Sequence, residues 1–408
     1  MERIDRVVQH LSSAPAAGST SRVAVADTTP VKICVTGAAG NIGYAVVFMI
    51  AQGQALPVRS ADPETWVVCF PHDTDLASPP PAPPPPPTPP SRAYWNEQGR
   101  ALELILLDIP RMKSTLDVLK MELIDCAFPL LTKIVVATDA EVAFKDVDVA
   151  LLIGAMPRGK GMLRSDLMKA NTSIFEAQGR ALNRVASRDV RVVVVGNPAN
   201  TNCWSCMQSA PDLNPRNFTA LTRLDLNRAK SMIANRLGVP SHSVGNVIIW
   251  GNHSKTQFPD VRHAVVRDFP VRNISVGARA AIDDDEWLNT TFIKQVQERG
   301  SAIIKIRQKS SAASAADAIV NHVHDWMLGT APGVMVSMGV LSDGSYNVPR
   351  GIIFSFPVTC ADGEYTIVQG LPIGDFAQLK MDATAAELVD ERHGASEILA
   401  TIANNVRT

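Results

Sequence analysis

The chain has 408 residues, room for two or three domains, and its 46% hydrophobic and 19% charged residues mark a globular protein rather than a disordered one. A formal net charge of −1 gives nucleic acid and anionic membrane surfaces nothing to grip. Six cysteines in so long a chain do not form a disulfide framework, no apolar run reaches the ~18 residues of a membrane span, and the N-terminus lacks the apolar centre of a secretory signal.

Residues 1–30 are rich in Ala, Ser and Thr and read as a leader. Ile4, Val7, Val8 and Leu11 fall at helical spacing. Arg3-Ile4, five residues and then His10-Leu11 has the form of an N-terminal peroxisomal address, which a receptor reads and which anchors nothing. A peroxisomal or glycosome-like location is therefore expected, with a plain disordered tail on a cytoplasmic protein as the alternative.

Val31 to Gly37 reads as a buried strand, followed by a helix from about Asn41 to Ala51 and a second strand from Leu102 to Leu107. Between them, residues 53–100 interrupt the pattern. Pro79 to Pro90 is all proline except Ala82 and Thr88, so it can continue neither sheet nor helix. As polyproline II it would extend ~37 Å at ~3.1 Å per residue. It reads as a solvated insertion in a surface loop, with a docking segment for a proline-binding module as the alternative.

A helix is expected to about Cys126, strands at Ile134 to Ala137 and Val147 to Ile153, a helix over 165–186 and a strand from Arg191 to Val195. Strands alternating with helices imply an α/β fold, a doubly wound parallel sheet over residues 31–198. Residues 199–408 read as a second, α+β region. Its expected elements are a helix over 221–238 stopped by Gly238 and Pro240, a strand from Val247 to Trp250, and strands near 261–267 and 273–277. A long helical stretch over 284–328, an antiparallel meander at 334–340, 352–358 and 364–369, and a final helix from about 383 complete it. Cys203-x-x-Cys206 invites a redox or metal reading, but no second cysteine pair follows it. Two reduced thiols at a helix start are the plainer reading, and no metal is expected.

Gly37-x-x-Gly40-x-x-Gly43 closes the first strand and opens the first helix, as a dinucleotide site requires. The first glycine permits the tight turn, the second the approach of a pyrophosphate, and the third close helix–strand packing. Asp108 ends the second strand, where a ribose-binding acid belongs. The 65 residues separating it from Gly43 exceed the usual ~20, and the proline-rich insertion accounts for the excess. Its carboxylate would repel a 2′-phosphate, which favours NAD over NADP.

Asp225 and Arg228 share one helix face at i, i+3. They can pair with each other at the surface. The reading adopted is instead that Asp225 reaches His253, which a strand end delivers into a Gly-Asn-His-Ser loop. A buried Asp–His pair fixes the imidazole tautomer and equips it to exchange a proton with an alcohol. The other seven histidines, His322 and His324 among them, read as structural or surface residues. Guanidinium forks match carboxylates: Arg228 suits one next to a reacting carbon, Arg164 a developing oxyanion, and Arg158 a distal carboxylate. Arg158 and Arg164 lie on a stretch with Gly154, Gly159 and Gly161 that reads as a lid over the site. The bland alternative is a solvated basic loop. Together these groups suit a small dicarboxylic hydroxy acid.

The strings Val35-Thr36-Gly37-Ala38-Ala39-Gly40-Asn41-Ile42-Gly43, Met156-Pro157-Arg158, Gly196-Asn197-Pro198-Ala199-Asn200-Thr201-Asn202, Leu221-Thr222-Arg223-Leu224-Asp225 and Ile248-Ile249-Trp250-Gly251-Asn252-His253-Ser254 resemble malate dehydrogenases of the cytosolic type. The resemblance covers about residues 31–400 apart from the insertion. It implies a Rossmann NAD-binding domain, a catalytic domain, malate and oxaloacetate as substrates, and a homodimer. It implies His253 as proton acceptor with Asp225 as its partner, and Arg158, Arg164, Arg228 and Asn197 as substrate-binding residues. Asn41, Ile42, Asn171, Gln178, Val195 and Asn197 match cofactor-contacting positions. Two departures stand out: Leu226 replaces a polar residue common after the aspartate, and Gly159-Lys160 replaces a common Arg-Asp.

Overall fold

Six short strands dominated by apolar residues form the middle of the protein. The computed structural model describes residues 30–54, 101–157, 164–269, 271 and 274–407. In chain order the first half contains β1 (Val31–Thr36), α1 (Asn41–Ala51), β2 (Leu102–Leu107), α2 (Lys113–Asp125), β3 (Leu131–Ala137), α3 (Ala140–Phe144), β4 (Val149–Leu152), α4 (Arg164–Val185), β5 (Arg191–Val194), α5 (Ala199–Gln208) and β6 (Phe218–Ala220). These strands pair in parallel in the order β3-β2-β1-β4-β5-β6. That is the doubly wound order with its crossover between β1 and β4, where open α/β sheets bind ligands.

All of these strands but the edge strand β3 are buried on both faces, so alternate side chains feed different cores. Val31, Ile33 and Val35 of β1, with Leu102, Leu104 and Leu106 of β2, pack with α1, α2 and the second half of the chain. Cys34, Ile105, Leu107, Ala150 and Leu152 pack on the other face with α4 and α5. Each such fully buried aliphatic side chain contributes roughly 1.5–3 kcal/mol.

The second half comprises α6 (Arg223–Leu237), β7 (Val244–Gly245), β8 (Ile248–Trp250), β9 (Phe258–Asp260), β10 (Val265–Arg267), β11 (Ser275–Gly277), α7 (Ala278–Ile282), α8 (Asp285–Trp287), α9 (Ile293–Arg307), α10 (Ala313–Leu328), β12 (Val336–Leu341), β13 (Ile353–Ala361), β14 (Glu364–Ile367) and α11 (Asp375–Arg407). β12, β13 and β14 form the expected meander. They also extend the parallel sheet: β12 lies antiparallel to β6 at Gly339 and Ala220, which makes nine strands in one sheet.

Several elements differ from expectation for local reasons. The helical stretch over 284–328 is broken. A π-helical turn at Leu288–Phe292 joins α8 to α9, and Gln308 closes α9 in the left-handed region at φ 56°. The final helix begins at Asp375, not near 383, because exposed Phe376 and Leu379 spoil the amphipathic pattern of its first turns. β6 has three residues and no periodicity to betray it. Gly238 does stop α6, in the left-handed conformation at φ 68°. The leader, with its Arg3–Leu11 address, and the proline run 79–90 lie outside the described residues.

The chain leaves the described region after Gln54 and re-enters at Ala101, whose carbonyl accepts the N–H of Val31 at 2.9 Å. Both points lie at the edge of the sheet where the parallel strands begin. Gly37, Asp108, Gly154 and Gly196 follow β1, β2, β4 and β5 at the opposite edge.

Candidate active site

The glycine turn is built as its spacing requires. Gly37 has φ 66°, and a Cβ on it would lie 2.7 Å from the Cα of Gly154, so the β1 and β4 loops touch through two glycines. A Cβ on Gly43 would lie 2.4 Å from the carbonyl oxygen of Gly37, so α1 can start this close to the turn only with glycine there. Thr36 ties the two loops: its hydroxyl accepts the N–H groups of Ile153 at 3.1 Å and Gly154 at 3.2 Å. Gly40 is the N-cap of α1, no side chain caps it, and the first turn carries no acidic residue. Asn41 is exposed and Ile42 half-buried at this helix start. The turn and the uncapped positive end of the helix dipole fit a bound pyrophosphate. Asp108 stands beside the turn: Oδ2 accepts the N–H of Ala39 at 3.1 Å, and Oδ1 that of its neighbour Ile109 at 2.8 Å.

Two further loops close on this edge. Val195 is half-buried against the core, and its N–H bonds to Leu152 O at 3.0 Å. Asn197 is exposed and is joined to Pro198 by a cis peptide bond. Asn171 of α4 is fully buried with its whole amide engaged. Its Oδ1 accepts the N–H of Met156 at 2.7 Å, and its Nδ2 donates to the carbonyls of Met156 and Asn197 at 3.2 Å each. It thereby binds the loop after β4 to the loop after β5. Gln178, two turns further along α4, has its Oε1 buried without a hydrogen-bond partner among the described residues. Arg164 is the first residue of α4, while Arg158 and the glycines 159 and 161 lie outside the described residues.

The remaining polar groups meet where α6 passes the strand end of β8. Asp225 is wholly buried on α6, and its Oδ2 accepts a hydrogen bond from Nδ1 of His253. Its Oδ1 accepts from Nη1 of Arg228 at 3.0 Å. Asp225 thus reaches His253 and also pairs with Arg228, one oxygen each, but in the interior and not at the surface. Burial alone would raise the Asp225 carboxyl. The charge and hydrogen bond of His253, with Arg228 and Gln257 adding to them, outweigh burial and hold it below the usual carboxylate range. For His253, burial would lower the imidazole, but the charge and hydrogen bond of Asp225 raise it above 6.5 against an opposing push from Arg228. With Nδ1 engaged, Nε2 has no partner among the described residues, and the side chain stays 20% exposed. His322 shows the opposite balance: it bonds Thr219 Oγ1 through Nε2 at 3.0 Å, and burial, with the charge of Arg223 adding to it, pushes it down to about 3 against a weaker opposing pull from Asp325.

The loop that carries His253 is held from two sides. Gly251 has φ 92°, and a Cβ on it would lie 2.1 Å from Cγ2 of Thr384, so α11 packs directly on the loop. From α5, buried Asn200 accepts the N–H of His253 at 2.9 Å and donates to the carbonyls of Gly251 at 3.3 Å and Ile353 at 2.9 Å. Asn200, Gln257 and the α11 residues went unnoticed in the sequence, because only chain folding brings them to His253. Cys203 and Cys206 sit fully buried in α5, and burial raises both thiols. They are core residues away from the polar cluster.

The chain matches the lactate/malate dehydrogenase NAD binding domain over residues 92–219 and the lactate/malate dehydrogenase alpha/beta C-terminal domain over residues 222–398. The first match starts just past the proline run, within the 53–100 interruption, although the structure places β1 and its glycine turn in the same sheet. Cytoplasmic malate dehydrogenase of Gallus gallus is 48% identical over 373 residues, 91% of this chain and 99% of that protein. Malate dehydrogenase from Naegleria fowleri superposes with a TM-score of 0.76 at 39% identity, covering 91% of this chain and 99% of that one. Lactate dehydrogenase of Trichomonas vaginalis in complex with NADH and oxamate gives 0.77 at 34% identity over the same shares. From the doubly wound sheet with its uncapped glycine turn to the likeness along nearly its whole length, the chain belongs to the lactate/malate dehydrogenase family.

Proposed function

We propose that this protein is an NAD-dependent malate dehydrogenase that interconverts (S)-malate and oxaloacetate. The observation that carries the reading is the buried Asp225 bonded at once to His253 and Arg228. The 48% identity to a cytoplasmic malate dehydrogenase supports it. NAD, when bound, supplies the hydride acceptor, and the Gly37–Gly43 turn with the α1 terminus suits its pyrophosphate. Asp108 would take the adenosine ribose hydroxyls.

In malate oxidation Nε2 of His253 accepts the hydroxyl proton while the carbon-bound hydrogen leaves as hydride; in reduction the same nitrogen returns it. Asp225 keeps Nδ1 protonated in the neutral ring and stabilises the imidazolium that forms. Arg228 spends one donor on Asp225 and keeps the rest of its fork for the substrate carboxylate beside the reacting carbon. Arg164 stabilises charge on the carbonyl oxygen, Arg158 holds the distal carboxylate, and Asn197 faces both substrate and nicotinamide. Val195, Asn171 and Gln178 complete the proposed cofactor surroundings.

A second reading, lactate dehydrogenase, is favoured by the likeness to the Trichomonas vaginalis enzyme. It requires an uncharged residue where Arg158 stands, which decides against it. A proline-rich scaffold on an inactive nucleotide-binding fold would leave the buried Asp–His pair without a purpose. NADH oxidation tested against oxaloacetate, pyruvate and 2-oxoglutarate separates all three: oxaloacetate alone should support turnover.

The name of the Gallus gallus relative supports a cytoplasmic location, whereas the Arg3–Leu11 string supports a peroxisomal one. A homodimer agrees with the apolar stripe Val118, Met121 and Ile124 on α2, each more than half exposed in the single chain. Sedimentation tests it.

A further inference from the structure

We propose that Glu387 on α11 is a positioning residue for His253, holding the segment Asn252–Thr256 so that the imidazole stays against Asp225. The proposal rests on the proton-transfer reading of His253. Oε2 of Glu387 accepts from Nδ2 of Asn252 at 3.0 Å and from Oγ of Ser254 at 2.5 Å, and it lies 2.6 Å from Oγ1 of Thr256. These donors flank His253 on both sides. One turn earlier on α11, Thr384 Oγ1 accepts the N–H of Asn252 at 2.9 Å and lies 2.8 Å from Thr256 Oγ1. One turn later, Glu391 accepts from Asn252 at 3.4 Å and from the hydroxyl of Thr201 on α5.

Residues Asn252–Thr256 have no helix or strand of their own, so side chains from α11 and α5 decide where the imidazole sits. Hydroxyl and amide donors need an acceptor that cannot itself donate, and an ionised carboxylate is one. Asp225 touches the ring at Nδ1 alone, a single contact that cannot by itself set the ring's position, because a shift of the loop would carry the ring along. A displacement of about 1 Å at a reacting group costs on the order of a hundredfold in rate. Among the described residues, the charged groups that face the imidazole are Asp225 and Arg228 from α6, and Glu387 and Glu391 from α11 face the loop beneath it.

The test uses the full chain with Glu387→Ala, Glu387→Gln, Ser254→Ala and His253→Ala. Steady-state kinetics with oxaloacetate, NADH binding by fluorescence titration, and the pH profile of kcat/KM are measured for each. Glu387→Ala should lower kcat about tenfold to a hundredfold with NADH affinity unchanged. The limb of the pH profile set by the imidazole should move down toward its ordinary value as the ring leaves Asp225. Glu387→Gln, which keeps one acceptor, should restore part of the loss, and Ser254→Ala should move the same limb by less. An unchanged kcat and pH limb in Glu387→Ala overturns the proposal. If that variant does not fold, an unchanged limb in both Glu387→Gln and Ser254→Ala overturns it. Retained turnover in His253→Ala would instead overturn the proton-transfer reading itself, whatever Glu387 does.

Discussion

Asp225 and His253 lie 28 residues apart in the chain, on a helix and on a loop, yet they share a hydrogen bond in the interior. A carboxylate this deeply buried is tolerable only because a cation or a donor meets each oxygen. The pair is therefore a unit, and removing either member should be felt chemically before it is felt structurally. His253→Ala should keep NADH binding within about twofold of wild type. Its turnover should fall by roughly 10²–10⁴, the usual worth of a positioned general acid–base. Near-wild-type turnover would remove His253 from the mechanism.

The same pair sets a pH dependence. The His253 imidazole is raised above its ordinary 6.5 by Asp225. Oxaloacetate reduction consumes the protonated ring, so its rate should hold up through pH 6.5 and fall only as pH rises past the elevated value. Malate oxidation needs the neutral ring and should rise over that same interval. Asp225→Asn removes the charge that raises the imidazole, so both limbs should shift to lower pH. Profiles of kcat/KM in both directions check the sign, and limbs that do not move would detach Asp225 from this role.

Arg158 is assigned the distal carboxylate of the substrate. Arg158→Gln removes a charge-assisted hydrogen bond worth about 1.5–3 kcal/mol. kcat/KM for oxaloacetate should drop about tenfold to a hundredfold while that for pyruvate drops less or rises. An unchanged ratio between the two acids would assign dicarboxylate choice elsewhere.

Cofactor choice is assigned to Asp108. Its carboxylate already accepts the N–H of Ala39, and a 2′-phosphate brought beside it meets like charge worth a few kcal/mol near a protein surface, about a hundredfold against NADPH. Asp108→Ser should narrow the NADH-to-NADPH ratio of kcat/KM. It should also cost some absolute activity, since the glycine turn loses the acceptor of Ala39. Equal use of both cofactors by the unmodified protein would contradict the assignment.

The leader makes a cellular prediction. A fluorescent fusion of the full chain should gather in peroxisomes, and one lacking residues 1–12 should be diffuse. Identical diffuse signals would favour the cytoplasm.

The parallel sheet was legible because its strands, the edge strand β3 apart, are buried on both faces and so read as apolar runs, Leu102 to Leu107 most plainly. β6 was not, since three residues carry no period. The break at Gln308 escaped because a left-handed glutamine has no sequence signature, unlike Gly238. At the site, Asp225, Arg228 and His253 were readable from residue type and spacing, and the resemblance sharpened their roles. The supports were not: Glu387 lies 133 residues from Ser254, its hydrogen-bond partner, and nothing local in the chain couples the two. Asn171 shows the converse. Its position was marked by resemblance alone, and the structure adds that its amide joins two loops.

The end of α1 and the start of β2 lie at the sheet edge turned away from Gly37, Asp108 and Asn197. About one strand length, roughly 20 Å for six residues, separates the two edges. The residues proposed for nucleotide and substrate lie along one rim, and the other carries none of them. A change of length in the sequence between α1 and β2 is thereby felt about one strand length away from every residue proposed to react.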